Sequence, residues 1–282
     1  MMVRDGPSTS SVPPHHERGE KTSARPEERL RSRAAASRSR VSKELPTRRD
    51  EDFRYADLAA LAPLWPVALE TIDVAAGETG ALTIVASADA PVRSLAIALG
   101  AGARFDLRIL NAGVPYGRIA LTVTLGEGAD FTLGAAQLGR GSETLEIVTT
   151  VHHAAPDATS RQVIRSVLAG HATGTYLGKV AVARGADGTD AGQSVRAMLL
   201  DRTATANAKP ELEIYADDVK CAHGCAVGEL DAAALFYMAS RGIPPAEAKR
   251  LMLQAFIAEA FVGAADEAAL TEAALVLLGE LV

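Results

Sequence analysis

Cysteine is nearly absent from this chain: two residues among 282. That excludes a disulfide-stapled secreted scaffold and points to a reducing, cytoplasmic setting. Long apolar runs are missing as well, none approaching the ~18 residues of a membrane-spanning helix, and the first residues lack the apolar stretch of a secretory signal. No glycine-rich stretch is followed by Gly-Lys-Ser/Thr, so no P-loop holds a nucleotide, and "GAGARF" (100–105) lacks the rest of a dinucleotide fingerprint. Neither a G-x-S-x-G elbow nor an H-E-x-x-H zinc motif occurs. These absences together describe a poor enzyme.

Charge of one sign is scarce in places. Met1–Arg49 carries 12 Lys/Arg against 6 Asp/Glu, although the whole chain has a formal charge of −6. Ser, Pro, Arg and Glu dominate this stretch, which reads as a solvated, disordered basic tail over 1–44. A nucleic-acid contact is the sharper alternative for such a tail; the blander solvated reading outweighs it, and no nucleic-acid or membrane partner is expected.

What the chain does have is period-two patterning. A lead-in segment (45–66) with Phe53, Tyr55, Leu58 and Leu61 precedes it, its aromatics expected to anchor it to the body. From 67 to 228, short alternating runs such as "SLAIALG", "FDLRILN", "IALTVTLG" and "TLEIVTTV" recur about every dozen residues, separated by "GAGA", "GEGA" and "RGADG" turns. An all-β sandwich, barrel or β-helix would each fit. Few aromatics and an interior supply of Val, Ile, Leu and Ala favour the β-helix. Over 229–282 the period lengthens to that of helices: Asp231 as N-cap, Gly242 as the left-handed terminator, and Pro245 opening a second helix. His152 and His153 are neighbours, so a strand would send them to opposite faces; a surface or turn role is expected for them, and a turn role for His171.

The chemistry-bearing residues gather in "KCAHGC": Cys221, His223 and Cys225. At alternate positions on a strand they share one face. Cys221 and Cys225 would then have Cα atoms ~13 Å apart, too far for a disulfide or for one shared ion. Two readings remain open: a core face carrying one internal histidine, or an incomplete site finished by another chain. A stand-alone β-helix enzyme acting on polysaccharide is the reading from another class. Its paired carboxylates could only be Asp217 and Asp218, whose adjacency points them to opposite faces.

The long stretch "NAKPELEIYADDVKCAHGCAVGELDAAALFYMASRGI" (207–243) resembles the SufB/SufD family of iron–sulfur cluster assembly scaffold proteins, on its SufD side. "LPTRRDEDFRY", "RSVLAGHATGTYLGKVAV" and "GTDAGQSVRAMLL" are similar to further landmarks of that family, in its order. The resemblance implies a right-handed parallel β-helix core with a C-terminal helical region, and a non-catalytic scaffold. It implies pairing with a SufB-like paralogue through the core, and binding of a SufC-like ATPase through the C-terminal helices. It also allows a homodimer in isolation. The cofactor implied is a transient iron–sulfur cluster at the subunit interface, with iron acquisition as part of the role and no nucleotide on this chain. His223 then becomes the candidate ligand to iron or the nascent cluster, with Cys221 and Cys225 as lesser candidates; a small residue is usual in the family at the position of Cys225. Phe236, Tyr237 and Arg241 become the candidate ATPase-binding residues, Phe236 with the alternative of anchoring its helix internally. Two departures accompany the match: a low-complexity basic stretch where the family carries helices, and Phe53 where tryptophan is typical.

Overall fold

The computed structural model describes residues 44–281. The basic tail expected over 1–44 therefore lies, but for its last residue, outside the described residues.

Alternating sequence becomes twelve strands: β1 (Leu69–Val74), β2 (Thr79–Val85), β3 (Val92–Leu99), β4 (Arg104–Ala112), β5 (Tyr116–Leu125), β6 (Asp130–Gly139), β7 (Thr144–His153), β8 (Thr159–Leu168), β9 (Thr173–Val182), β10 (Asp190–Leu199), β11 (Thr205–Ile214) and β12 (Lys220–Gly228). Odd-numbered strands form one six-stranded sheet and even-numbered strands another, each strand pairing parallel with the strand two further on. Each turn of the solenoid thus gives one strand to each sheet, and the inward residues of both sheets meet in a thin interior. Sandwich and barrel readings fall away, because consecutive strands lie in different sheets.

Corners are set by residues that accept a left-handed backbone. Gly77, Gly102, Gly128 and Gly188 have positive φ, and Asp157 takes the equivalent place in its turn at φ 59°. Their amides reach the next turn's carbonyls: Gly102 to Glu127 at 2.7 Å, Gly128 to Pro156 at 3.0 Å and Asp157 to Asp187 at 2.9 Å. Aspartate is among the few side chains that tolerate this region.

The lead-in segment contains a 3₁₀ turn (Glu51–Phe53), the one-turn helix α1 (Leu58–Leu61) and a second 3₁₀ turn (Ala62–Leu64). Asp57 caps α1, accepting from the amides of Ala59 and Ala60. Phe53 does anchor the segment, with Arg118 stacked 4.2 Å from its ring centre and Trp65 edge-on to it. Beneath lies a buried ion pair of Arg118 and Glu146, which also grips the segment through the Asp52 carbonyl and the Asp57 amide.

The C-terminal residues form α2 (Ala232–Ser240), α3 (Pro245–Ala258) and α4 (Glu267–Leu278). Leu253, Ile257 and Phe261 with Leu270, Ala274 and Leu278 pack on Leu110, Ala136, Leu138 and Val167, the outer side of the even-numbered sheet. Full burial of such side chains stabilises by about 1.5–3 kcal/mol each. Gly134 permits the approach: a Cβ there would sit 1.8 Å from the Ala260 carbonyl oxygen. Arg108 donates to that same oxygen at 2.9 Å, and Arg165 pairs with Glu259 at 2.6 Å. Among the described residues no helix is long and apolar enough to cross a membrane.

Candidate functional site at the open end of the solenoid

β12 is the last strand of its sheet and pairs on one side only, with β10. The register sets Cys221 beside Ala191, His223 beside Gln193, Cys225 beside Val195 and Val227 beside Ala197. Those four β10 residues are buried. The β12 side chains therefore continue the interior columns, but among the described residues no further turn covers them. Cys221 is half-buried, His223 and Cys225 are exposed, and Val227 is 47% exposed. The trio does share a face, yet the reading of a closed core face with an internal histidine is corrected: the face is inward and uncapped.

Both thiols are free. The strand is extended throughout, so the ~13 Å between Cys221 and Cys225 Cα atoms stands. Among the described residues no group of three or more His, Cys, Asp or Glu could hold a metal ion. Burial pushes the Cys221 thiol above its ordinary pKa, with Asp190 adding to the rise and the Ala191 backbone opposing it; burial does the same to Cys225. The isolated strand keeps its sulfurs protonated and weakly nucleophilic. Asp217 and Asp218 lie exposed in the link between β11 and β12.

Behind His223 runs a feature that sequence reading missed. One inward column passes through Leu82, Leu107, Leu133, Gln162, Gln193 and His223, one residue per turn. Its polar half is bonded across the interior. Gln193 donates to the Tyr176 hydroxyl at 3.2 Å, which donates to Gln162 Oε1 at 3.1 Å, and Thr149 donates to the same oxygen at 3.2 Å. The Gln162 Nε2 and Gln193 Oε1 atoms are buried without a partner. Burial drives the Tyr176 phenol far above its ordinary pKa, so it stays protonated. Only glycine fits at Gly178, where a Cβ would lie 2.2 Å from that hydroxyl. His153 is the second surprise: it is fully buried and shares a 2.9 Å hydrogen bond with Ser160, so its expected surface role is corrected. His171 does occupy a turn. The available signal was polar residues recurring at inward positions of otherwise apolar alternation.

The two edges at this end differ. β11 carries Lys209, Pro210, Glu211 and Glu213, and proline and charge discourage strand addition. β12 offers small residues and backbone. Further on, α2 buries none of its residues. Phe236 is 77% exposed and Tyr237 58%, with Arg241 stacked 5.2 Å from the Tyr237 ring centre. The reading of Phe236 as an internal anchor is corrected: its ring faces solvent.

A parallel β-solenoid with an uncapped last turn and an imidazole at its mouth defines a scaffold-like class with its chemistry left incomplete. Residues 77–256 match the family described as SUF system FeS cluster assembly, SufBD core domain. The chain belongs to that family. It is 33% identical over 169 residues to an iron–sulfur cluster assembly SufBD family protein of Synechocystis, covering 60% of this chain and 37% of that protein. It is 32% identical over 142 residues to the iron–sulfur cluster assembly protein SufD of Escherichia coli, covering 50% and 34%. To the chloroplastic protein ABCI7 of Arabidopsis thaliana it is 40% identical over 119 residues, covering 42% and 25%. The match thus spans between a quarter and two fifths of these relatives' lengths.

Proposed function

We propose that the chain is a scaffold subunit for iron–sulfur cluster assembly that supplies one part of a shared site. The observation carrying this reading is His223, held on the last strand with its side chain in an uncapped column. Iron accepts mixed nitrogen and sulfur ligation, but one imidazole cannot hold a cluster. The cluster is cargo, and the missing ligands come from a SufB-like paralogue docked on β12. Strand addition suits that edge, since backbone hydrogen bonds supply affinity and alternate side chains face the partner's. Phe236, Tyr237 and Arg241 on α2 form an aromatic and cationic patch of the kind enriched at interfaces, and a SufC-like ATPase is its partner. Catalysis and nucleotide binding then belong to that ATPase, and iron acquisition to the assembled complex.

The test is His223→Ala in a complex reconstituted with SufB-like and SufC-like proteins from the same cell. Elution of the complex is expected to be unchanged, because an exposed side chain is removed. Iron and acid-labile sulfide per complex fall about tenfold or more, as removing a ligand costs at least what disturbing its support does. An unchanged cluster yield removes His223 from the site.

A further inference from the structure

Resting on the assembly reading above, we propose that Gln193 is a positioning residue for His223. Its side-chain carbonyl accepts the imidazole N–H once a partner covers the mouth of the solenoid, and the other ring nitrogen keeps its lone pair turned outward to the cargo. Three observations carry this.

The first is adjacency. Gln193 and His223 are register partners on β10 and β12 and belong to one inward column. Paired strands lie about 4.8 Å apart, and side chains of these lengths can close that gap to an N–H···O bond of ~2.7–3.2 Å. Gln193 is 4% exposed whereas His223 is exposed, so the pair straddles the boundary between interior and mouth.

The second is proton accounting. The Tyr176 hydroxyl has one proton and gives it to Gln162 Oε1 at 3.1 Å. Thr149 donates to that same oxygen at 3.2 Å, which holds the Gln162 amide the same way round. The phenol then has only lone pairs to offer, so Gln193 presents its N–H there, at 3.2 Å. The network thus dictates which way the Gln193 amide faces.

The third is the atom left over. Gln193 Oε1 is buried without a partner, and such an atom in a packed interior calls for a group that the isolated chain lacks. Its Nε2 reaches a hydroxyl shared with Gln162 of β8. A planar amide that turns its nitrogen toward β8 turns its oxygen away, and the next residue of the column on that side is His223. The other orphaned atoms, Asn111 Oδ1, His153 Nδ1 and Gln162 Nε2, lie on earlier strands.

The chemistry follows from what an imidazole can offer. A neutral ring has one N–H and one lone pair, and the bond made by one nitrogen decides which of them the other carries. An amide oxygen accepts without being able to take the proton, so it fixes a neutral ring in one tautomer and one orientation. In the free chain an exposed ring satisfies its N–H with water. When a docked chain excludes that water, Oε1 is the acceptor at hand. Metal-binding histidines are held in this way by groups behind them.

The test uses the chain with ¹⁵N-labelled histidine rings, in complex with the SufB-like paralogue and before iron is supplied, at about pH 8, above the ordinary imidazole range. The His223 signals are those lost in His223→Ala. Wild type should show one N–H nitrogen and one lone-pair nitrogen, a single tautomer. Gln193→Leu should show the averaged pair of an unrestrained ring and, after loading, should hold iron about 10–100-fold less tightly against a chelator. An averaged ring in wild type, or a wild-type spectrum in Gln193→Leu, overturns the proposal. Weaker iron retention with the tautomer unchanged marks a merely structural role and overturns it as well. The two failures are separable: an unchanged cluster yield in His223→Ala sinks the assembly reading, whereas a lowered yield there beside wild-type behaviour of Gln193→Leu sinks the role of Gln193 alone.

Discussion

The first three turns of the solenoid and the last three share one backbone plan and differ in what fills them. Up to β6 the inward residues are apolar, save Asn111 and Gln137 near the strand ends: Leu95, Ile97 and Leu99 on β3, Phe105, Leu107 and Ile109 on β4, Leu121, Val123 and Leu125 on β5, Phe131 and Leu133 on β6. From β7 the same columns admit Thr149, His153, Ser160, Gln162, Tyr176 and Gln193, all buried. An apolar interior gains free energy from area alone. A polar one gains little per hydrogen bond and loses about 1–3 kcal/mol for each buried group left unpaired. Three such atoms lie here, Gln162 Nε2, Gln193 Oε1 and His153 Nδ1, against Asn111 Oδ1 among the described residues of the first three turns. Stability is thus concentrated at the end remote from the candidate site, and the end proposed to receive another chain is held more lightly. Regions that rearrange or dock are drawn from that less stable part of a molecule.

The largest expected effect comes from carrying the character of the second half into the first. Leu133 is fully buried and precedes Gln162 in its column. Leu133→Gln should cost about 3–5 kcal/mol, combining lost burial with an amide whose sole polar neighbour in its column is Gln162. Urea unfolding measures it, as a lower midpoint at unchanged slope. A loss below about 1 kcal/mol would mean that the first half tolerates polar groups as the second does, and the contrast would dissolve.

A smaller effect is confined to the polar half and depends on pH. Burial pushes the His153 pKa from 6.5 down to about 4, with the Ala158 backbone opposing the fall and His152 adding to it. The folded state therefore keeps the ring neutral while the unfolded chain takes up a proton below pH 6.5. Stability from this residue is complete above pH 6.5, declines as the pH falls, and levels off below about 4. At pH 5 the loss is about 2 kcal/mol relative to pH 7. The paired carboxylates Glu51, Glu70 and Asp190 are held below their ordinary values, so their contributions are lost at lower pH. Urea midpoints at the two pH values check this, and His153→Gln should flatten the difference. An equal pH response in that variant would place the acid-sensitive group elsewhere.

Much of this was legible in the sequence, for physical reasons that differ by element. The solenoid follows from period-two patterning broken at even spacing by residues that accept left-handed corners. The cap at Asp231 and the terminator at Gly242, with φ 85°, follow from local chemistry and needed no tertiary information. That Cys221, His223 and Cys225 share a face follows from strand geometry. Whether that face is covered does not, because burial on an end strand depends on whether another turn follows. The same holds for Phe236, whose helix has an apolar sequence but turns this ring to solvent and fully buries none of its residues. His153 and Gln162 escaped notice because one inward polar residue resembles one outward polar residue until the register is known.

The smallest expected effect is the reverse exchange, and it decides what the polar half is for. Gln193→Leu removes the bond from Nε2 to Tyr176, worth about 1 kcal/mol, and with it the unpartnered Oε1 that costs a similar amount. Tyr176 keeps Gln162 and Thr149 as partners, so no new orphan is created. Leucine occupies nearly the volume of glutamine, and Gln193 is 4% exposed, so apolar burial offsets part of the change. The net shift should stay within about 1 kcal/mol of wild type in urea unfolding, in clear contrast to Leu133→Gln. A loss above about 3 kcal/mol would mean that Oε1 is tied into the structure through a group it lacks here, and that the polar interior is itself structural. With stability unchanged, any fall in cluster yield of the reconstituted complex would trace to the side chain beside His223 and not to a weakened fold, making Gln193 a positioning residue for the imidazole.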